Sequence, residues 1–417
     1  MFRLLSILPL AVLIAATAAA QIPDAGTPPA PSVDALVAEA LARSPALAAV
    51  RSRTAAAREM ERPAAALPDP MVEAMVQNAD FPNYTIGSED MSMAGFEVRQ
   101  PLPYPGKLRS RAAAARAETA LREAEAADLE RRIAAEVRSL YARIYAVDRE
   151  RQALSAAREL VDLMSATAAA RYASGQTEQE ALVKAQLQVT RLEERLDDLA
   201  AERRSRIAEL NRWLDRPGGE PLGEVTALPA VTAPPASLDA LAVGGSSRVR
   251  MTRAAVATAE RRLATARLDV RPDFLPAAGF AYRGALGPVL TLRLGVELPF
   301  RKSQRQEPMI RAADAELETA RQELRDAEAM IRSEAARIVA DWSKADRQIV
   351  RYREGILPQT STALDAARSS YLAGRGDFST VVEDFNLWLE ARVQLARREA
   401  DRFAAWAALE ALTGDLP

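Results

Sequence analysis

The side chains available for chemistry in this chain are carboxylates, lysines, hydroxyls and thioethers, because none of its 417 residues is a cysteine or a histidine. That removes thiolate nucleophiles, disulfides, most zinc and copper sites, and the usual carrier of protons near neutral pH. Four thioethers cluster at Met71, Met75, Met91 and Met93. Methionine binds soft cations such as Cu(I) but more often fills irregular apolar space. With no histidine-rich segment beside them, no metal site and no cofactor is expected. An enzyme working through paired carboxylates needs a concave site with a perturbed acid; no such pair stands out among the many acids on helix surfaces, so no catalytic residue is assigned. Charge is balanced at 55 basic against 57 acidic residues, which offers nucleic acid no general attraction.

The elements that must position these groups are mostly helices. Hydrophobic residues make up 49% of the chain but aromatics only 5%, so alanine carries much of the apolar content, as in long, closely packed helices. Arg3, the apolar run 4–14 and Ala18-Ala19-Ala20 read as a signal peptide over 1–20, and 21–31 as a Pro-rich leader. With no cysteine at the cleavage site, no N-terminal lipid is expected. Residues 107–174 lack glycine and proline; as one helix they would reach roughly 100 Å at ~1.5 Å per residue. Within them Leu129, Ile133, Val137, Leu140, Ile144 and Val147 recur at intervals of three and four, the seam of a coiled coil. Glu118/Arg122, Asp128/Arg132 and Glu202/Arg206 are placed on solvated surface. Gly175 ends the tract, and 176–216 returns as the second arm of a hairpin.

The pattern repeats. Tyr172-Ala173-Ser174-Gly175 has a counterpart in Tyr371-Leu372-Ala373-Gly374, and the Leu210 to Leu214 ending in Leu409 to Thr413, both at the same offset. This predicts two structural repeats, 32–215 and 237–417, joined by a Pro- and Gly-rich connector at 216–236. Each begins with a helix: one from Ser32 to about Pro63, bent at Pro45, the other from Ser237 through Gly244 and Gly245 to about Val270. Each ends in a long helical hairpin, at 107–215 and 305–413, the second kinked at Gly355 and Pro358.

Four stretches follow period two instead, predicting β-hairpins at about 70–102 and 273–299. In the clearest, Leu290, Leu292, Leu294, Val296 and Leu298 alternate with Thr291, Arg293, Gly295 and Glu297. The first hairpin is joined by a polar loop over about 78–90, the second by the tight turn Gly284 to Gly287. Strands of about 9 to 11 residues with one apolar face suit a tilted membrane strand. Leu290, Leu292, Leu294 and Val296 are then lipid-facing, while Glu73, Gln77, Glu97, Arg99, Arg293 and Glu297 line a lumen. An open four-stranded sheet cannot span a bilayer and the smallest barrels have about eight strands, so several chains must share one barrel.

The order and spacing of these features resemble the TolC family of outer-membrane efflux proteins. The segments that carry the resemblance are the repeat, Pro68-Asp69-Pro70, Gln100-Pro101-Leu102-Pro103-Tyr104-Pro105-Gly106-Lys107, and the Tyr172/Gly175 and Tyr371/Gly374 turns. The resemblance implies a mainly α fold with a membrane β-barrel portion. A homotrimer would build a twelve-stranded barrel in outer-membrane lipid and a long periplasmic α-barrel of coiled-coil hairpins. It also implies a passive conduit working with a periplasmic adaptor protein and an inner-membrane efflux pump, and the Pro68 and Tyr104 segments resemble the heavy-metal branch. A periplasmic gate falls on Asp377, Thr380 and Glu383, with threonine where the family carries its first acid. Adaptor docking falls on the turns at Gly175, Gln176, Gly374, Arg375 and Gly376. Lys107 and Arg109 are placed beside interfacial phosphates. The rival reading is a soluble periplasmic coiled-coil adaptor or scaffold, which would keep the hairpins without membrane strands.

Overall fold

A computed structural model describes residues 30–79, 85–86, 89, 91–175, 179–235 and 238–414. The signal peptide, most of the leader, much of the 78–90 loop and Gln176 lie outside the described residues.

The chain opens with α1 (Val33–Arg43), α2 (Pro45–Glu59) and α3 (Glu61–Ala65), followed by β1 (Met71–Gln77) and β2 (Met93–Arg99). Two long helices come next, α4 (Lys107–Ala173) and α5 (Gln179–Trp213). Beyond the connector the same order returns: α6 (Leu238–Gly245), α7 (Ser247–Leu268), β3 (Asp273–Tyr282), β4 (Pro288–Glu297), α8 (Gln306–Arg351), α9 (Leu357–Leu372) and α10 (Phe378–Thr413).

The opening helices are more broken than the sequence suggests. The bend expected at Pro45 is a full break, because Ser44 ends α1 and its hydroxyl accepts the Leu47 N–H to cap α2. The helix expected to run through Gly244 and Gly245 stops at Ser246, whose hydroxyl accepts the Val249 N–H to start α7. The expected kink near Gly355 is a single π-turn over Tyr352–Ile356, with the Leu357 N–H bonded to the Tyr352 carbonyl. Pro358 lacks an N–H and its ring crowds the preceding turn, so a widened turn relieves the clash without ending the helix.

The 67-residue α4 is the spine. Its seam residues Ile133, Val137, Leu140 and Ile144 are fully buried against Leu36 of α1, Leu47 of α2, Leu210 of α5 and Phe403 of α10. A second core near the hairpin ends joins Val161 and Ala168 of α4 and Ala185 of α5 to Tyr371 of α9 and Phe378, Val381 and Phe385 of α10. Glu118–Arg122 and Glu202–Arg206 are surface ion pairs as expected. Asp128 is not: it is buried and accepts the Ser247 hydroxyl at 2.7 Å, a partner 119 residues away that local spacing cannot reveal.

The connector is strapped down rather than loose. Leu222 and Val225 are buried, and the dry carboxylate of Asp148 accepts Arg203 Nε at 2.6 Å and the Val225 N–H at 2.9 Å. Arg203 also donates to the Leu222 and Gly223 carbonyls, and Asn211 to those of Pro217 and Glu220.

The four strands form one antiparallel sheet in the order β1-β2-β3-β4, with the outer edges of β1 and β4 unpaired. β1 and β2 have seven residues each, shorter than expected, whereas β3 and β4 have ten. The first hairpin stops early because Asn78 takes a left-handed conformation and its amide donates to the Met91 carbonyl.

Candidate functional site

Strand register sorts the side chains of the sheet onto two faces, since directly opposed residues of antiparallel strands point the same way. One row runs Val72, Val98, Ala278, Leu292; the next Ala74, Phe96, Phe280, Leu290; a third Val76, Ala94, Tyr282. Leu294 and Val296 extend this face opposite Pro276 and Phe274. It is wholly apolar and it is bare: Leu290, Leu292 and Leu294 are 70%, 74% and 68% exposed, and the Phe96 and Phe280 rings lie 6.3 Å apart in the open.

The other face carries the charge. Its rows are Glu73, Glu97, Gly279, Thr291 and Met71, Arg99, Ala277, Arg293. Arg99 reaches Glu97 at 3.1 Å and Glu73 at 3.4 Å, and Arg293 reaches Glu97 at 3.1 Å from two strands away. Glu97 is thereby buried between two guanidinium groups. Gln77 and Glu297 share this face but lie at its two ends, outside the network. Met71, Met75 and Met93 also point this way, mixed with charge rather than gathered into a thioether cage. Small residues stand among these charges; at Gly95 a Cβ would sit 2.2 Å from the Phe280 carbonyl oxygen, so no larger residue fits there.

At the far end of the helices, Gly175 and Gly374 both have positive φ, 69° and 74°, as a tight reversal between helices requires. The Arg375 and Gly376 N–H groups donate to the Ser370 carbonyl. Asp377 caps α10, accepting the Ser379 N–H and hydroxyl. Those bonds, with Lys184 nearby on α5, hold its carboxyl below the usual range. Glu383 and Lys184 line the same groove between α5 and α10, of about 850 Å³. Thr380 is exposed one step round the helix and does not line it.

Residues 288–415 match the sequence profile of the outer membrane efflux protein family. The matched segment starts at β4 and takes in α8, α9 and α10, the strand with the barest apolar face and the helices of the second hairpin. Likeness of fold extends over nearly the whole chain. The outer-membrane channel OprN superposes with a TM-score of 0.79 at 17% identity, over 92% of this chain and 89% of that one. The outer membrane protein VceC of Vibrio cholerae gives 0.77 at 17%, over 92% and 97%, and CusC 0.78 at 16%, over 92% of both. No curated protein sequence matches the chain. The resemblance to outer-membrane efflux proteins read from the sequence is borne out, and so is a mainly helical fold with a four-stranded antiparallel sheet.

Several residues that organise this fold escaped sequence reasoning. Glu150 of α4 is buried and accepts Arg195 of α5 at 2.5 Å and Arg397 of α10 at 2.8 Å, tying three helices at one carboxylate above the groove. Lys184 and Arg191 face Glu383 and Glu390 across the groove. At the turn, Arg171 of α4 lies over the Tyr371 ring at 4.5 Å and donates to the Leu372 carbonyl, while Phe378 meets the ring edge-on at 5.4 Å. Tyr371 is therefore buried, although its counterpart Tyr172 is exposed. Lys107 corrects an expectation: it is buried, paired with Asp273 at 2.9 Å and donating to the Arg271 carbonyl, so it locks α4 to β3 and faces no phosphate. Arg109 is exposed. Among the described residues no helix is long and apolar enough to cross a membrane.

Proposed function

We propose that the protein is the outer-membrane channel of a tripartite efflux pump, a passive conduit for small molecules or ions across the periplasm and outer membrane. The observation that carries this reading is the bare apolar face of a sheet with two open edges. Ten large side chains stand exposed on it: Val72, Val76, Phe96, Val98, Phe280, Tyr282, Leu290, Leu292, Leu294 and Val296. At about 1.5–3 kcal/mol for each such side chain taken out of water, the face forgoes roughly 15–30 kcal/mol in solution, as an upper bound. A soluble adaptor has no reason to carry that burden, and its open edges would invite aggregation. Hydrocarbon on one side and charged lumen on the other satisfy both faces at once.

In this reading each of three identical chains contributes four strands to a twelve-stranded barrel, with β4 of one chain pairing β1 of the next. Residues 32–215 and 237–417 act as two related halves, the signal peptide having delivered the chain to the periplasm. Leu290, Leu292, Leu294 and Val296 face outer-membrane lipid; Glu73, Gln77, Glu97, Arg99, Arg293 and Glu297 line the lumen. Asp377, Thr380 and Glu383 narrow the periplasmic mouth, and the turns at Gly175, Gln176, Gly374, Arg375 and Gly376 receive the periplasmic adaptor of an inner-membrane pump. The pump selects the cargo and supplies the energy. Assignment to the heavy-metal branch rests only on the Pro68-Asp69-Pro70 and Tyr104-Pro105-Gly106-Lys107 segments.

Membrane fractionation followed by mass measurement in detergent tests the architecture. The protein should sediment with outer membranes, require detergent for extraction and run as an oligomer of three chains. A folded monomer in the soluble periplasmic extract would refute the channel.

A further inference from the structure

Along the groove between α5 and α10, among the described residues, no hydrogen bond or ion pair joins the two helices directly, and one carboxylate of the spine bonds both. Glu150 of α4 is buried and uses both its oxygens. Its Oε1 accepts Arg195 of α5 through Nε at 2.9 Å and through a terminal guanidinium nitrogen at 2.5 Å, and its Oε2 accepts Arg397 of α10 at 2.8 Å. Val147 and Leu154 of α4, Leu199 of α5 and Val393 of α10 form an apolar cluster from the neighbouring turns of the same three helices. A buried carboxylate held by two guanidinium groups cannot release one without leaving charge unmatched, so this end of the groove is fixed. The other end is loose. It reaches Lys184 and Glu383, about 16 Å from Arg195 along α5 and about 21 Å from Arg397 along α10 at ~1.5 Å per residue. Lys184 and Arg191 line one wall, Glu383 and Glu390 the other, and the sequence offset between the walls is the one that relates Tyr172 to Tyr371. Opposite charges stand on the two walls, yet none pairs across. Lys184 binds Glu180 of its own helix at 2.6 Å, Glu390 accepts from Gln394, and Arg191 and Glu383 have no partner among the described residues. Exposed pairs of this kind form and part at little cost, so the walls are free to close or open here while the buried end holds.

We propose that Glu150 is a positioning residue for conduction. It ties α5 to α10 midway along both helices, and so sets how far the groove walls part and where Asp377 and Glu383 stand at the helical tip. The inference rests on reading those two acids as the periplasmic gate. Neither arginine suffices alone: loss of Arg195 frees α5, loss of Arg397 frees α10, and either loss uncouples the two walls. The spine supplies the fixed point, because its seam is buried against α1, α2, α5 and α10.

The chain has no cysteine, so Arg191→Cys with Glu390→Cys reports the groove width through bifunctional thiol reagents of graded length. In the oligomer held in lipid vesicles, one reagent length should react fastest, joining two helices of one chain. Adding Glu150→Gln should slow that reaction and favour longer reagents. In planar bilayers Glu150→Gln should shift the single-channel conductance to a new level. Arg195→Gln and Arg397→Gln should each reproduce that shift, with no further change when they are combined. Two independent ion pairs that only stabilise the fold would add in stability and leave the conductance where it was. Unchanged reagent preference and conductance in Glu150→Gln, additive effects of the two arginine substitutions on conductance, or a link that joins two chains would overturn the proposal. Should Glu150→Gln yield no oligomer, the arginine variants decide by the same readings. In an oligomer recovered from the outer membrane those results remove only the positioning role; a soluble monomer removes the channel reading too.

Discussion

Replacing Leu292 by arginine tests the assignment of the sheet's two faces most directly. Leu292 sits midway along β4, in the row Val72, Val98, Ala278, Leu292, and is 74% exposed in the single chain. If that row meets hydrocarbon at mid-depth, the substitution costs about 2–4 kcal/mol per chain, and a three-chain barrel carries the penalty three times, roughly 6–12 kcal/mol. If the row meets water, exchanging one highly exposed side chain for another falls within about 0.5 kcal/mol. The neighbouring Thr291 is an internal control, because it lies one residue away in the row of Glu73 and Glu97. A cation there joins a face that already holds Arg99 and Arg293, so Thr291→Arg should fold nearly as well as the parent. The assay is the folded, heat-resistant fraction after refolding into lipid vesicles, titrated with urea. Equal midpoints for Leu292→Arg and Thr291→Arg would refute the face assignment whatever the absolute stability.

Three further outcomes are expected. Asp148→Ala removes a fully dry carboxylate and strands Arg203, itself only 15% exposed, so it should cost about 3–5 kcal/mol; in limited proteolysis the connector 216–235 should become the first site cut, and unchanged resistance would show that the strap is idle. Glu383→Gln and Asp377→Asn should alter conductance and cation preference in planar bilayers without lowering oligomer yield, because they remove charge and little packing; unaltered selectivity in both would make these acids ordinary solvated side chains. Asp377 is held below its ordinary value of 3.8 by the Ser379 bonds and Lys184. Its stabilisation of α10 is therefore complete above about pH 4 and is lost as pH falls through the lowered value, a change of about 0.5 kcal/mol at this exposed cap. Hydrogen-exchange protection in the first turn of α10, taken relative to the intrinsic rate at each pH, should fall on acidification in the parent and not in Asp377→Asn; the same pH response in both proteins would remove Asp377 as its source.

What could be read from the sequence was whatever depends on neighbours along the chain. The ends of α4 were placed within a residue because Gly106 and Gly175, both at positive φ, bound a run without glycine or proline. The alternation from Leu290 to Val296 survives intact because one residue's slip would reverse the whole strand. Hidden features were those completed from afar. Asp128 looked like half of a local surface pair, yet its partner is Ser247; Lys107 looked like an interfacial cation, yet it neutralises Asp273. Glu150 carried no signal at all, since its arginines come from two other helices. The shortening of β1 turned on the backbone of Asn78, a residue that tolerates the left-handed region but does not dictate it.

The two hairpins use one element order to different ends. In the first, α4 is unbroken and its buried seam makes it the fixed member. In the second, the helix is interrupted at Tyr352–Ile356, where a π-turn takes in Gly355 ahead of Pro358. One carboxylate ties that interruption to the fixed helix: Glu399 of α10 accepts both Arg353 from the π-turn and the Tyr145 hydroxyl of α4, at 2.6 Å for the latter. Below it, α9 and α10 meet α4 through an apolar core and the Arg171–Tyr371 stack. The carboxylates proposed for the gate, Asp377 and Glu383, sit on the arm beyond the π-turn, which packs against the spine. A movement that leaves the sheet and the upper core intact therefore has a place to bend, above Leu357, and a surface to slide on, the groove lined by Lys184 and Glu383.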